Sequence, residues 1–330
     1  MVTVGIPRAL SYYNYFPFWK TLAEGLGAEV AVSGPTDERL LKLGVRHCVD
    51  DICVPVKLFF GHVLDLKDRV DYLFVPRLVS VERSGGDSYT CPKLMGLPDM
   101  IKGALDGLPP VIEFRLDLKN HSLKHTARTV ARSLPGRGGG FKASFRSAVS
   151  TQALYQRELL GGADPAGAMR KVLGENGDGG RARPAGRAAG RSVNIALVGH
   201  DYLVHDPFIS HDLPGRLASL GANVTFTTQV PQEAIERELA LYPDISWSFE
   251  KVLLGATSHF MRRGDIHGVI IVMGFACGPD SIVGEIISRE VRRDSATPVM
   301  VLVLDEHTGE AGVATRAEAF VDMVRRSRGR

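Results

Sequence analysis

Three of the four cysteines in this 330-residue chain stand beside residues that build rigid turns: Cys53 in Cys-Val-Pro, Cys91 in Cys-Pro and Cys277 in Cys-Gly-Pro. Proline fixes φ near the helical value and lacks the N–H that a first helical turn leaves unpaired, so Pro55 reads as the first position of a helix. Cys53 then sits at the helix mouth, where the dipole and unpaired amides favour a thiolate, the form of cysteine that attacks and that ligates metal. Taken alone, such a cysteine reads equally as a small buried apolar side chain. Cys48, five positions earlier, reads as a packed thiol on a different local surface. No pair has C-x-x-C spacing, so a zinc ribbon or thioredoxin-like motif is absent, and any joint role of these thiols must be assembled by the fold.

The elements that would position them come in two rhyming halves. VTVGIPRALSYYNYFPFWKTLAEGLGAEVAVS opens the first and VNIALVGHDYLVHDPFISHDLPGRLASLGANVTFTT the second. Each runs from an apolar strand through a glycine turn and an aromatic-rich loop into an amphipathic helix. Each then passes Leu-Gly-Ala (Leu26 to Ala28, Leu220 to Ala222) into a β-branched strand, the glycine being the expected left-handed cap. A helical pattern over 56–66 and another over 247–261 lead to apolar runs at 70–75 and 267–273. A cysteine loop, another helix and a further strand (111–115, 298–304) follow in both. Apolar strands alternating with helices predict parallel sheets covered on both faces.

The fold class is therefore α/β, with two similar doubly wound, flavodoxin/Rossmann-like parallel-sheet lobes. They occupy residues 1–135 and 193–330. Residues 136–192 join them through a helical segment (142–172) and a flexible Gly/Arg-rich linker (175–191), and a helix over 315–326 closes the second lobe. Ligands of open α/β sheets bind beyond the carboxyl ends of the strands. The loops of Cys91 and Cys277 occupy that place, and Cys53 is at a helix start in the first lobe. If the lobes face one another, the three thiols converge and suit a soft metal or a [4Fe–4S] cluster with one iron open to an outside ligand. Separate buried thiols are the other reading, and topology leaves both open.

Composition narrows the classes. Apolar residues make up 44% and charged residues 23%, the mix of a water-soluble globular protein. A net charge of +3 over this length predicts no nucleic-acid surface, and the basic stretch Arg181 to Arg191 reads as a solvated linker. No apolar run reaches the ~18 residues of a membrane span, and MVTVGIPRAL lacks the features of a signal peptide. Four cysteines make no disulfide framework. The expected location is the cytoplasm.

Further polar residues carry paired readings. Lys57, one turn after Cys53, is either a cation beside a thiolate or a solvated lysine; His62 is a packing or hydrogen-bonding residue. His200, His205 and His211 follow the second lobe's first strand in a ligand-facing position, with a three-histidine metal site supported by spacing alone. Asp305 and Glu306 end a strand, as a general base or as caps of the next loop, and Arg316 pairs structurally or anchors an anion. Tyr12, Tyr13, Tyr15, Phe16 and Phe18 read as core or lobe interface.

The combination of GIPRAL…YYNYFPFW, DDICVPVKLFFGHV, VDYLFVPRLVSVE, CPKLMGLPD, FACGPDS and LDEHTGEAGVATRAEAF resembles the 2-hydroxyglutaryl-CoA dehydratase/benzoyl-CoA reductase superfamily, in particular its acyl-CoA dehydratase activase-related branch. The resemblance spans 2–131 and 193–323. It implies a two-lobed subunit holding a [4Fe–4S] cluster, or a double-cubane [8Fe–9S] variant, with Cys53, Cys91 and Cys277 as ligands by position. It also implies an ATP-dependent activase of the actin/Hsp70-like class as electron donor, and a homo- or hetero-oligomer with a related subunit. The reaction implied is low-potential reduction or radical dehydration of an acyl-CoA-type substrate. The chain shows no P-loop and no opening Asp-x-Gly phosphate signature, so the ATPase is expected on the partner. The rival readings are a non-catalytic two-lobed binding or maturation protein, and a regulator of the activase ATPase.

Overall fold

The structure is a computed structural model that describes residues 1–82, 88–134, 140–175, 192–242, 245–291 and 295–328. Its elements run β1 (Thr3–Ile6), α1 (Tyr12–Gly25), β2 (Glu29–Val32), α2 (Glu38–His47), α3 (Val54–Leu66), β3 (Tyr72–Ser80), α4 (Pro92–Met95), α5 (Leu97–Ala104), β4 (Val111–Asp117) and α6 (Leu123–Ser133). Then come α7 (Phe141–Leu160) and α8 (Pro165–Leu173), where the sequence predicts a single helical segment. Gly162, at φ +92°, adopts a left-handed turn that an uninterrupted helix would not contain. The second half is β5 (Val193–Gly199), α9 (Asp201–Val204), α10 (Leu213–Ser219), β6 (Ala222–Phe226), α11 (Gln232–Leu239), α12 (Ser248–Arg262), β7 (Gly268–Gly274), α13 (Gly278–Ile286), β8 (Val299–Leu304) and α14 (Glu310–Arg328). Apart from Glu175, the linker expected at 175–191 lies outside the described residues.

The strands form two parallel four-stranded sheets with the same order, β2-β1-β3-β4 and β6-β5-β7-β8. This is an α/β fold of two similar lobes. In each sheet the chain leaves the first strand toward one edge and returns to build toward the other, so the order reverses between the two central strands. β7 is buried at every position and β5 at all but Asn194, as expected of central strands covered on both faces. Gly27 and Gly221, at φ +90° and +78°, supply the left-handed turns the sequence predicts after the first helix of each half. By contacts the chain divides into one compact unit of Met1–Arg157, Ala168–Asn176 and Ile245–Ser248, and another of Glu158–Gly167, Gly177–Asp244 and Phe249–Arg330.

The core of the first unit is aromatic. Trp19 packs on Phe74 and Phe114 at centroid distances of 5.1 and 5.8 Å, and Phe18 meets Phe114 at 6.0 Å. These side chains come from α1, β3 and β4, so they bind helix to sheet. Pro17 inside α1 removes the N–H that would bond Tyr13, and its ring crowds the preceding turn. α7 fills the gap. The Tyr155 hydroxyl donates to the Tyr13 carbonyl at 2.5 Å, and Gln152 Nε2 donates to the Asn14 carbonyl at 2.7 Å while its Oε1 accepts from the Phe18 amide at 3.3 Å. A proline that would break an isolated helix is thus accommodated by a second helix's side chains.

α2 and α3 cross through reciprocal glycines. A Cβ at Gly44 would lie 1.8 Å from the Lys57 carbonyl oxygen, and one at Gly61 would lie 2.1 Å from that of Leu40. Only hydrogen fits at either place, so backbone rests on backbone. α3 is buried from Val54 through Val63 and again at Leu66.

Candidate functional site

Cys53, Cys91 and Cys277 are the N-cap residues of α3, α4 and α13, in extended conformation with ψ of 147°, 153° and 107°. Each is followed by proline within two residues, and none uses its sulfur to cap its own helix amides. The sequence predicted a helix mouth for Cys53 and loops for the other two; all three share one local design. One detail differs, since Val54 is the first helical residue and Pro55 the second.

Topology places these mouths. Helices that return the chain between parallel strands begin at the carboxyl edge of the sheet, and α3 is such a helix, leading into β3. Its 13 residues span about 20 Å, the depth of a sheet. His62, nine residues after Cys53, already reaches Ser33 at the carboxyl end of β2, so Cys53 lies beyond the carboxyl edge of the first sheet, on the side from which Cys91 follows β3. Cys277 follows β7 at the carboxyl edge of the second sheet.

Around Cys53 one expectation changes. Lys57 is 2% exposed, so it is not a solvated lysine, and its Nζ donates to the Asp50 carbonyl at 2.9 Å, fastening the loop that leads to Cys53. Cys48 is the C-cap of α2 and half-buried. Burial pushes its thiol up to about 12, with Lys57 opposing and Cys53 adding to the rise. A thiol so disfavoured as thiolate is a poor ligand.

The second unit holds a buried polar centre that the sequence shows only in part. His200 follows β5 as the N-cap of α9, Asp280 lies in the first turn of α13, and Glu250 lies in the first turn of α12. His200 Nε2 is 2.8 Å from Asp280 Oδ1 and 3.9 Å from Glu250 Oε1, and the three side chains are 5%, 1% and 3% exposed. Burial disfavours a charged His200, but the charge and hydrogen bond of Asp280, with Glu250 and Asp201 adding, outweigh it and hold its pKa up at about 9. Burial would raise Asp280; His200, the Gly274 amide and the Cys277 thiol lower it instead. Burial dominates at Glu250, whose pKa is raised despite His200. Among the described residues the buried Glu250 Oε2 has no hydrogen-bond partner.

Only His200 of the three expected histidines belongs to this centre; among the described residues no three-histidine group exists. His205 packs against Phe226, ring centroids 4.8 Å apart and tilted by 47°, and is held neutral, its pKa pushed down to about 4 by burial. His211 Nε2 bonds the Thr308 carbonyl at 2.9 Å. His62 is a buried hydrogen-bonding residue, 2.8 Å from Ser33 Oγ and 3.1 Å from Thr36 Oγ1, with burial lowering its pKa to about 4. Asp305 caps its loop by accepting from the His307 amide and the Thr308 hydroxyl. Arg316 is exposed and makes no ion pair among the described residues, so it has no structural acid partner there. Tyr12, Tyr13, Phe16 and Phe18 are core, and Tyr15 is half-buried. Glu250 and Asp280 escape sequence reading because each looks like an ordinary first-turn acid. The one available signal is that Asp280 follows Cys277 by three residues at a strand's carboxyl end.

Fold and site together define a two-lobed parallel α/β protein with cysteines and a buried His–Asp–Glu centre on the carboxyl sides of its sheets. The chain belongs to the family described as CoA enzyme activase uncharacterised domain, whose model matches residues 3–230. That membership is consistent with the acyl-CoA dehydratase activase-related branch. The matched range includes Cys53, Cys91 and His200, while Glu250, Cys277 and Asp280 follow it. No curated protein matches the chain. Among the described residues no helix is long and apolar enough to cross a membrane.

Proposed function

We propose that this chain is a cytoplasmic iron–sulfur redox component that works with a CoA-dependent enzyme system. Cys53, Cys91 and Cys277 hold a [4Fe–4S] cluster or a double-cubane [8Fe–9S] variant. The observation that carries the reading is the shared design of these residues: three N-cap cysteines, each before a proline, on the carboxyl sides of sheets in a chain of the CoA enzyme activase family. Helix N-termini favour thiolate, and their turn amides suit hydrogen bonding to cluster sulfurs. When bound, the cluster supplies one-electron chemistry at low potential.

What the chain's own residues contribute is position and rigidity. α3 is locked against α2 by the glycine crossing, and Lys57 fastens the loop before Cys53, so that thiol is presented without backbone freedom. The electron comes from an ATP-dependent activase of the actin/Hsp70-like class, and reduction or radical dehydration of an acyl-CoA-type substrate follows. The test is the iron and acid-labile sulfide content of protein purified without oxygen. Comparable iron and sulfide with a brown chromophore support the reading. A colourless chain after anaerobic reconstitution sinks it in favour of a non-catalytic binding or maturation protein, and ATP hydrolysis by the isolated chain would favour a regulator of the activase.

A further inference from the structure

We propose that His200, Glu250 and Asp280 form a binding site for one divalent transition-metal ion of the zinc class, which adjoins Cys277 through Asp280 but uses no cysteine as a ligand. Three observations meet here. One ligand atom from each residue lies within 4.8 Å of the others, and all three residues are buried. Bonds of about 2.0–2.2 Å to a shared ion place ligand atoms roughly 3–3.5 Å apart. The present separations of 2.8 Å and 3.9 Å from His200 Nε2 bracket that range, so small side-chain rotations suffice.

The second observation is Glu250 Oε2, a carboxylate oxygen in a residue only 2% exposed and without a hydrogen-bond partner among the described residues. If Glu250 is ionised, Oε2 lacks a donor; if it is protonated, the carboxyl lacks an acceptor. Either way a buried polar atom goes unsatisfied, at a cost of about 1–3 kcal/mol. Charge gives the same answer. An ion that displaces the His200 proton leaves a neutral imidazole and two carboxylates as its ligands, a set of −2 that a divalent cation cancels.

The third observation is place. β5 and β7 are the central pair of the second sheet, where the strand order reverses, and His200 and Asp280 both follow their carboxyl ends. Ligands of open α/β sheets bind at that crevice. One imidazole and two carboxylates suit a zinc-class ion and leave a fourth position for water or an outside ligand. The Gly274 amide donates to Asp280 Oδ2 at 3.4 Å, and the Cys277 thiol also bonds Asp280, so this carboxylate has the outer partners that orient a ligand.

The experiment strips the full-length chain with chelator under anaerobic conditions and returns Zn2+ in slight excess. Bound zinc is counted by mass spectrometry after gel filtration, and affinity is measured by calorimetry. Wild type retains one ion per chain, Glu250→Gln binds at least 100-fold more weakly, and the double variant Cys53→Ala/Cys91→Ala retains the ion. No retained zinc in wild type, undiminished binding in Glu250→Gln, or loss in the cysteine variant overturns the proposal. Should Glu250→Gln fail to fold, Co2+-loaded wild type decides by proton resonance. A strongly shifted, exchangeable imidazole N–H signal places His200 on the ion, and its absence overturns the site.

Discussion

Single side chains separate the cysteines cleanly. Cys53→Ala, Cys91→Ala and Cys277→Ala should each strip iron from anaerobically purified protein, while Cys48→Ala, whose thiol burial holds in the protonated form, leaves iron nearly unchanged. Equal loss from all four would make Cys48 a ligand and sink the three-ligand reading. His62 gives a pH test. Its folded pKa of about 4 lies below the ordinary 6.5, so the unfolded chain takes up the proton first and stability falls as pH drops through that window. Between pH 7.5 and pH 5 this one group should remove about 2 kcal/mol. Urea unfolding of His62→Asn should show a pH slope smaller by that amount; an unchanged slope would mean that His62 does not titrate as its burial requires. At this scale the sequence was informative for residues whose role is local. The helix mouth of Cys53 follows from its neighbouring proline, whereas the centre around His200 is assembled from three distant first turns, and nothing in the residues beside Glu250 marks it.

Elements were more legible than residues, because strands buried on both faces leave unbroken apolar runs and glycine marks the helix ends. What the residues could not announce is how one helix repairs another. The aromatic stretch that reads as a loop is the start of α1, which continues through Pro17 because Tyr155 bonds the Tyr13 carbonyl the proline deprives and Gln152 bridges the Asn14 carbonyl and the Phe18 amide. Tyr155→Phe removes the hydroxyl that bonds the Tyr13 carbonyl and should cost about 1–2 kcal/mol in denaturant unfolding. The α2–α3 crossing is stricter. Gly61→Ala puts a methyl group 2.1 Å from the Leu40 carbonyl oxygen, so the helices must part, at an expected cost above about 3 kcal/mol. A variant of wild-type stability would show that the crossing yields.

Across the whole molecule, the repeated strand order is the strongest agreement between sequence and structure, since the rhyme of the halves predicts it. Less visible is that compact units and sequence halves do not coincide. Residues Ile245–Ser248 belong with the first unit, where Trp247 bridges Tyr89, the Tyr89 amide donates to the Ser246 carbonyl at 2.7 Å and the Ser248 amide donates to the Tyr89 carbonyl at 2.8 Å. A fragment ending at Glu175 lacks that segment, so its Tyr89 amide should exchange hydrogen rapidly while the full chain protects it; equal protection would show that the segment before Cys91 is ordered without it. The glycine crossing bears on time as well as on packing. A helix with its backbone pressed on its neighbour's, buried along most of its length, has no small fluctuation by which to admit water, so its amides exchange only when the surrounding core opens. The amides of α3 should therefore exchange only with the free energy that denaturant unfolding measures for the whole unit, and faster exchange over Leu58 to Val63 would show that the crossing opens locally.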